Sequence, residues 1–378
     1  KRNGKKEARK INRYHKIVSP IRKVKNFIYP VYNYFPFLKK LNKKIKDKRS
    51  KLNFKKLITS SSQNDLAIAE LTKRRFEFTE KYLLNNLEKQ EDKLVPIDIS
   101  IVTYNSSKWV EQFINSLIKQ SYPLKLINLY FVDNGSKDNT IELLNIFKNS
   151  YLELFAEIEV FSQKNVGFGA GHDKAIAYGK SKYCMVSNID LEFEKNAIQN
   201  IVKIAEEDKK EEYASWEFRQ IPYEHPKYYD PITLETNWSS HACILIRKNA
   251  YIKVGGYEPR IFMYAEDVEL SYRFRAYGYH LKYCPSAIVY HYTYEEANEI
   301  KPLQFQGSLL GNAYLRLRYG NKIDKLSIIP LYLSLLIKPE IFNGSKKMIK
   351  NNLLKIFKNF HYFNKFYISN TNFYAPFQ

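Results

Sequence analysis

The feature that most restricts this chain is a repeating alternation over residues 97–207. Short apolar runs (IDISIVTY, LINLYFVD, EIEVFS and KYCMVSN) are each followed by a segment of helical texture. Runs of this length, rich in β-branched and aromatic residues, read as buried strands. A β-α-β-α-β-α-β order predicts an α/β fold, a mostly parallel twisted sheet with helices on both faces. The first helix is expected from a cap at Ser106 or Ser107 to about Gln120, and the second from a cap at Asp138 or Asn139. The third follows the loop Gln163–Gly171 and runs to about Lys180, and the fourth covers Asn196–Glu207. In such sheets ligands bind outside the carboxyl ends of the strands. Thr103, Tyr104 and Asn105, then Asp133, Asn165 and Asp190 all fall at those ends, which predicts one site.

Around this unit the chain divides into a basic arm over 1–58, a linker and helix over 59–95, the α/β domain over 96–320 and a helical, basic and aromatic extension over 321–378. The helix of the second segment is expected over Asp65–Gln90. The net charge of +22 belongs almost wholly to the arm. Residues 1–56 hold 21 Lys and Arg against Glu7 and Asp47, a net of +19, which leaves +3 for the rest. Pro20, Pro30 and Pro36 break any long helix there. Two readings stay open for the arm: a solvated segment, or one lying on an anionic membrane, with Phe27, Tyr29, Phe35 and Phe37 in the interface. Nucleic acid is set aside as a partner, because no recognition motif accompanies the charge. Cys184, Cys243 and Cys284 are far apart and form no CxxC, which points to a reducing compartment. The longest apolar run, Leu326–Ile337, is interrupted by Pro330 and is shorter than the ~18 residues of a membrane span. The chain starts without Met and reads as a piece of a longer protein.

The stretch with the densest chemistry is Gly255–His291. A Gly-Gly turn and the aromatics Tyr257, Phe262 and Tyr264 precede Glu266-Asp267 at the start of a helix expected over Ala265–Ala276 and ended by Gly278. Acids in a first helical turn have an ordinary explanation in the helix dipole. Arg273 lies on that helix, and two short strands are expected after it, the second ending at His291. Upstream, NVGFGAG places glycines at 167, 169 and 171. It reads as a tight turn or as a cradle where backbone N–H groups approach a pyrophosphate. A dehydrogenase is excluded, since the dinucleotide fingerprint follows the first strand and this loop follows the third. Asn188-Ile189-Asp190 ends the fourth strand, where a carboxylate can hold Mg²⁺ or Mn²⁺ and His291 can add an imidazole. Tyr213–Ser240 reads as irregular, His241–Arg247 as a strand and Pro302–Tyr319 as a helix.

Taken in order, IVTYN, VDNGSKD, NVGFGAG, NID, WSSHACILIR, GGY, FMYAEDVELSYR and the His of AIVYH resemble the inverting GT-A glycosyltransferases of family 2, over about Pro96–Tyr319. The nearest subgroup is similar to bacterial rhamnosyl- and galactofuranosyl-transferases of surface polysaccharide synthesis. The resemblance implies a nucleoside-diphosphate sugar, UDP- or dTDP-linked, as donor and a glycan or lipid-linked glycan as acceptor. It implies Asp267 as general base with Glu266 beside it, and Asp190, His291 and Asn188 around a divalent metal. Thr103, Tyr104, Asn105, Asp133, Asn165, Gly167 and Gly169 would serve the nucleotide, with Asp133 accepting from a pyrimidine N3–H. Trp238, His241, Tyr264 and Arg273 would line the sugar pockets, with core packing an equally open reading for the aromatics Trp238 and Tyr264. Asn188 departs from the usual first acid of the metal motif, and His241 from the usual small residue before Ala242. The implied location is the inner face of the plasma membrane. The alternative is a degenerate, non-catalytic member that binds membrane or a partner through its arm.

Overall fold

The computed structural model describes residues 94–222, 224–225, 227–292, 302–338, 345–365, 375 and 377, all within one compact unit over 93–377. The basic arm and the helix expected over Asp65–Gln90 lie outside the described residues. The first half follows the expected alternation. Strands β1 (Ile97–Thr103), β2 (Ile127–Asp133), β3 (Glu157–Ser162) and β4 (Tyr183–Ser187) are connected by helices α1 (Ser107–Ile118), α2 (Thr140–Tyr151) and α3 (Phe168–Tyr178). β1 pairs in parallel with β2 and β4, and β2 with β3.

Period-two alternation divides each strand between two cores. Ile97, Ile99 and Ile101 of β1 face a cluster with Val110, Phe113 and Leu117 of α1 and with Leu144 and Phe147 of α2. On the opposite face Val186, Ile244 and Ile246 pack with Ile176 of α3 and with Leu270 and Phe274. Phe113 and Leu117 have no exposure at all, and burying each contributes about 1.5–3 kcal/mol.

The second half departs from the sequence reading. After β5 (Leu191–Phe193) and α4 (Ala197–Glu207) the supposedly irregular stretch opens with β6 (Tyr213–Ile221). β6 lies between β7 (Cys243–Arg247), antiparallel, and β8 (His280–His291), parallel. Its inward polar residues Ser215, Glu217 and Gln220 disguise it in the sequence, although all three are buried. β8 is one strand of 12 residues rather than two short ones; the register shift opposite Phe218/Arg219 bends the pair without breaking it. The eight strands run β3-β2-β1-β4-β7-β6-β8-β5, and β7 is antiparallel to β4. The sheet is therefore parallel on the β3–β4 side and mixed beyond.

Two further helices, α5 (Lys248–Val254) and α6 (Glu266–Ala276), cover one face. Beyond them come α7 (Pro302–Tyr319), α8 (Lys322–Leu326), α9 (Ile328–Ile337) and α10 (Lys346–Phe363). These C-terminal helices share a core of Tyr314, Leu317, Ile328, Tyr332, Leu335, Ile349 and Phe363, to which Ile261 is added from the α/β domain. The expected caps are also revised. Ser106 and Asn139 stand at the N-cap positions of α1 and α2 without a side-chain cap bond. Asp138 instead ties the starts of α1 and α2 together, accepting from Ser107 N–H at 3.0 Å and from Thr140 N–H at 3.2 Å.

Candidate active site

Parallel register sets Thr103 beside Asp133 and Asp133 beside Ser162. The carboxylate of Asp133 is fully buried. Its Oδ1 accepts from Thr103 Oγ1 at 2.9 Å and from the Ser136 hydroxyl. Its Oδ2 accepts from the N–H groups of Gly135 and Ser136 at 2.9 and 2.8 Å. Asp133 thereby holds the turn after β2. That turn in turn fixes Asn105, which sits at φ +50° and accepts from Lys137 N–H at 2.8 Å. Tyr104, just past the end of β1, is half exposed.

The glycine loop is closely packed. Gly167 has φ +98°, and a Cβ there would lie 2.2 Å from Phe262 O. A Cβ on Gly169 would meet Tyr257 Cβ at 2.7 Å, and one on Gly171 would meet Val102 Cγ2 at 2.8 Å. The missing side chains admit protein atoms, so these glycines serve close packing of α3. Asn165 accepts from Gly167 N–H at 3.1 Å and closes the loop.

At the end of β4, residues far apart in sequence converge. His291 Nε2 lies 3.5 Å from Asp190 Oδ1 and 3.4 Å from Asn188 Nδ2. The other ring nitrogen, Nδ1, lies 2.8 Å from Gln220 Oε1. A carbonyl oxygen there selects the tautomer with the proton on Nδ1, which turns the Nε2 lone pair toward Asp190, as in metal-binding histidines. The donor set of a carboxylate, an imidazole and a neutral amide fits a divalent ion held by two strong ligands. Among the described residues no group of three or more His, Cys, Asp and Glu side chains is placed to hold a metal, so Asn188 or a bound anion would have to complete the shell.

The third group is the pair at the start of α6. Tyr264 and Ala265 lead into it in the left-handed region, at φ +68° and +78°. Glu266 is buried and its Oε2 has no protein partner. Asp267 is partly exposed, and its Oδ1 accepts from Val268 N–H at 2.7 Å. Loss of water raises both carboxyls above the ordinary range, and their mutual like charge opposes ionising both at once; Asp267 is partly relieved by Val268 N–H and by the charge of Lys227.

Three expected pocket residues make contacts within the protein. Arg273 is buried, bonded to Glu269 Oε2 at 2.5 Å and to Val254 O at 2.9 Å. His241 is buried with its Nδ1 2.7 Å from the Tyr257 hydroxyl. Burial lowers its pKa to about 3, so the ring is neutral; its backbone N–H is the part that reaches Asp267. Trp238 is half-buried and has Lys227 Nζ 4.5 Å from its ring centroid, which occupies a face expected to stack on sugar.

Residues the sequence did not single out complete the region. Lys227 pairs with buried Glu217, whose carboxyl burial raises to about 6 despite that cation. Glu217, Gln220, Glu224, His225, Lys227 and Tyr283 line a cavity of about 180 Å³. No motif marked Glu217 or Gln220; only the β6–β8 pairing brings Gln220 to His291. A wider depression of about 850 Å³ over α1 and β5 includes Lys108, Gln112 and Lys195 and none of the predicted site residues.

Residues 98–268 match the family model Glycosyl transferase family 2. Over that stretch the chain is similar to family 2 glycosyltransferases, and the stretch folds as the α/β sheet described above. It is similar to the N-acetylglucosaminyl-diphospho-decaprenol L-rhamnosyltransferase of Mycobacterium tuberculosis, 41% identical over 63 residues, 17% of this chain and 20% of that one. A probable glycosyltransferase of Bacillus subtilis is 24% identical over 256 residues, 62% of this chain and 59% of the relative. The chain thus spans less than two thirds of either relative. Among solved structures, a mannosyltransferase from Pyrobaculum calidifontis in complex with GDP-Man and Mn²⁺ has a TM-score of 0.45 at 14% identity, covering 79% of this chain and 94% of that one.

Proposed function

We propose that this protein is an inverting glycosyltransferase that moves a sugar from a nucleoside-diphosphate donor to a glycan or lipid-linked glycan acceptor in bacterial surface polysaccharide synthesis. The observation that carries the reading is the convergence of Asn188, Asp190 and His291, the first and last 103 positions apart, with Gln220 fixing the imidazole. Asp190 and His291 would hold Mn²⁺ or Mg²⁺ on the donor diphosphate. When bound, such an ion neutralises the charge that develops on the leaving group.

Asp267 is the general base. Its partly exposed carboxylate can reach an acceptor hydroxyl, and burial moves its pKa toward the working pH, where a base is most effective. It takes the hydroxyl proton as the oxygen attacks the anomeric carbon opposite the leaving diphosphate. Glu266 is buried beside it with Oε2 unpartnered, so of the two carboxyls Asp267 is the one open to an acceptor. Tyr104 and Asn105 lie at the nucleotide end, with Thr103, Asp133, Asn165, Gly167 and Gly169 shaping the loops behind them. Trp238 and Tyr264 flank the acceptor side, while Arg273 and His241 support it from within.

The relative acting on a decaprenol-linked sugar supports a lipid-linked acceptor, and with it a place on the inner face of the plasma membrane. The test is a screen of UDP-, dTDP- and GDP-sugars for binding and for Mn²⁺-dependent hydrolysis. One donor bound and slowly hydrolysed is expected, with Asp190→Ala and His291→Ala each weakening it. Absence of turnover with every donor, despite tight nucleotide binding, would favour the non-catalytic alternative.

A further inference from the structure

The last three helices present an outer surface that the transferase reading does not use. Helix α9, IIPLYLSLLI, has no charged residue. A helix apolar on all sides is normally enclosed. Here Ile328, Tyr332 and Leu335 enter the C-terminal core, while Ile329, Leu333 and Ile337 are 57, 56 and 70% exposed. Their spacing of four places them in one row. α10 repeats the division. Ile349, Asn352, Ile356 and Phe363 are buried, and Leu354 and Phe357 are 68 and 84% exposed. Lys347, Lys350 and Lys358 fall on the same outer face by helical spacing, Lys365 follows the helix, and all four are exposed. Residues 321–365 hold nine lysines against Asp324 and Glu340, a net of +7.

We propose that this face docks on an anionic lipid bilayer. Large apolar side chains framed by lysines match the interface, where the apolar groups enter the acyl boundary and the ammonium groups meet lipid phosphate. At 10 residues α9 is too short to cross a membrane, and among the described residues no helix is long and apolar enough to do so. A second copy of the chain is disfavoured as the occupant, because it would bring +7 against +7. The inference rests on the lipid-linked acceptor reading for its purpose. The helices are also tied to the base. Gly307 and Gly311 of α7 leave room for Tyr264 and Ala265, where a Cβ would come within 2.8 Å of Tyr264 Cδ2 and 2.4 Å of Ala265 Cβ. Arg318 bonds Glu269 of α6 at 2.7 Å. A docked C-terminal face would thus hold the α6 start at a fixed place relative to the bilayer.

The test uses the full chain and vesicles of equal parts phosphatidylglycerol and phosphatidylcholine. Phe357→Cys is labelled with an environment-sensitive dye; Cys184, Cys243 and Cys284 are all buried, which favours labelling at 357. Ile232→Cys, at an 89% exposed position of the α/β domain, is the control. The dye at 357 is expected to shift to the blue on vesicles and the dye at 232 to stay unchanged. Leu333→Asp with Phe357→Asp should lower vesicle affinity by roughly tenfold or more in high salt, where lysine attraction is screened. The proposal is overturned if the protein pellets while the dye at 357 stays in water, which would leave the arm over 1–56 as the anchor. It is equally overturned if the double variant binds like the parent, or if the dye shifts without lipid at a sedimentation mass of two chains. Donor hydrolysis by the same samples is read separately, so its loss would sink the transferase reading and leave the vesicle result standing.

Discussion

Helix α6 carries three acids in its first turn, and the structure treats them in opposite ways. Glu269 is surrounded. Arg273 reaches its Oε2 at 2.5 Å, Arg318 its Oε1 at 2.7 Å and the Tyr319 hydroxyl the same oxygen at 2.8 Å. Burial alone would raise its pKa, but Arg273 and Arg318 outweigh that and hold it below the ordinary range. Glu266 and Asp267, at the very start of the helix, are not ringed by guanidinium groups in this way, and both are raised. The same residue type on the same helix becomes a fixed anion or a proton acceptor according to its partners. The dipole acts on all three acids and cannot make the distinction.

The comparison is broken most severely at Arg318, which also bonds Glu258 Oε2 at 2.7 Å. Arg318→Ala leaves two buried carboxylates without that cation, and a loss of about 3–5 kcal/mol is expected in urea unfolding. Next comes Asp267→Asn, which keeps size and hydrogen bonding but cannot take a proton. Turnover should fall by ~10²-fold or more with stability and donor binding nearly unchanged. Near-normal turnover would remove Asp267 from the chemistry. Gln220→Leu extends the logic to His291. Freeing the imidazole from its partner should weaken metal-dependent donor binding by about 10–100-fold in calorimetry, and unchanged affinity would show that Gln220 does not orient it.

The smallest effect is on Glu266. A carboxyl raised in the folded state contributes stability that is fully present below its unfolded value, near 4.5, and is lost as pH rises through the folded value. Glu266→Gln removes that loss. Its melting temperature should exceed the parent's by a few degrees at pH 8, at roughly 2–4 °C for each kcal/mol, and the gain should vanish near pH 4. A gain that persists at pH 4 would mean the effect is not ionisation.

The parallel half of the fold was legible because period and length agree there: EIEVFS is observed as Glu157–Ser162 and IDISIVT as Ile97–Thr103. β6 was not, because its inward Ser215, Glu217 and Gln220 break the apolar pattern that marks a strand. Asp190, Asn188 and His291 were legible as a group through the order of motifs. Their orienting partner Gln220 was not, since nothing in YASWEFRQI distinguishes a residue that will lie beside His291. The surroundings of Arg273 were not legible either: only the placement of Glu269 and Val254 shows it turned inward.

The two left-handed residues before α6 bear on when the protein becomes competent. Left-handed backbone is uncommon for residues with a side chain and persists only where surroundings enforce it. Here the enforcing surface is α7, whose Gly307 and Gly311 receive Tyr264 and Ala265. That surface is encoded well after the segment it shapes. A ribosome emitting the chain from its N-terminus would release the sheet, the loops after β1 and β2, and Asp190 and His291 before Glu266 and Asp267 can settle. Activity should therefore appear late in synthesis, once α7 has emerged and closed over the loop.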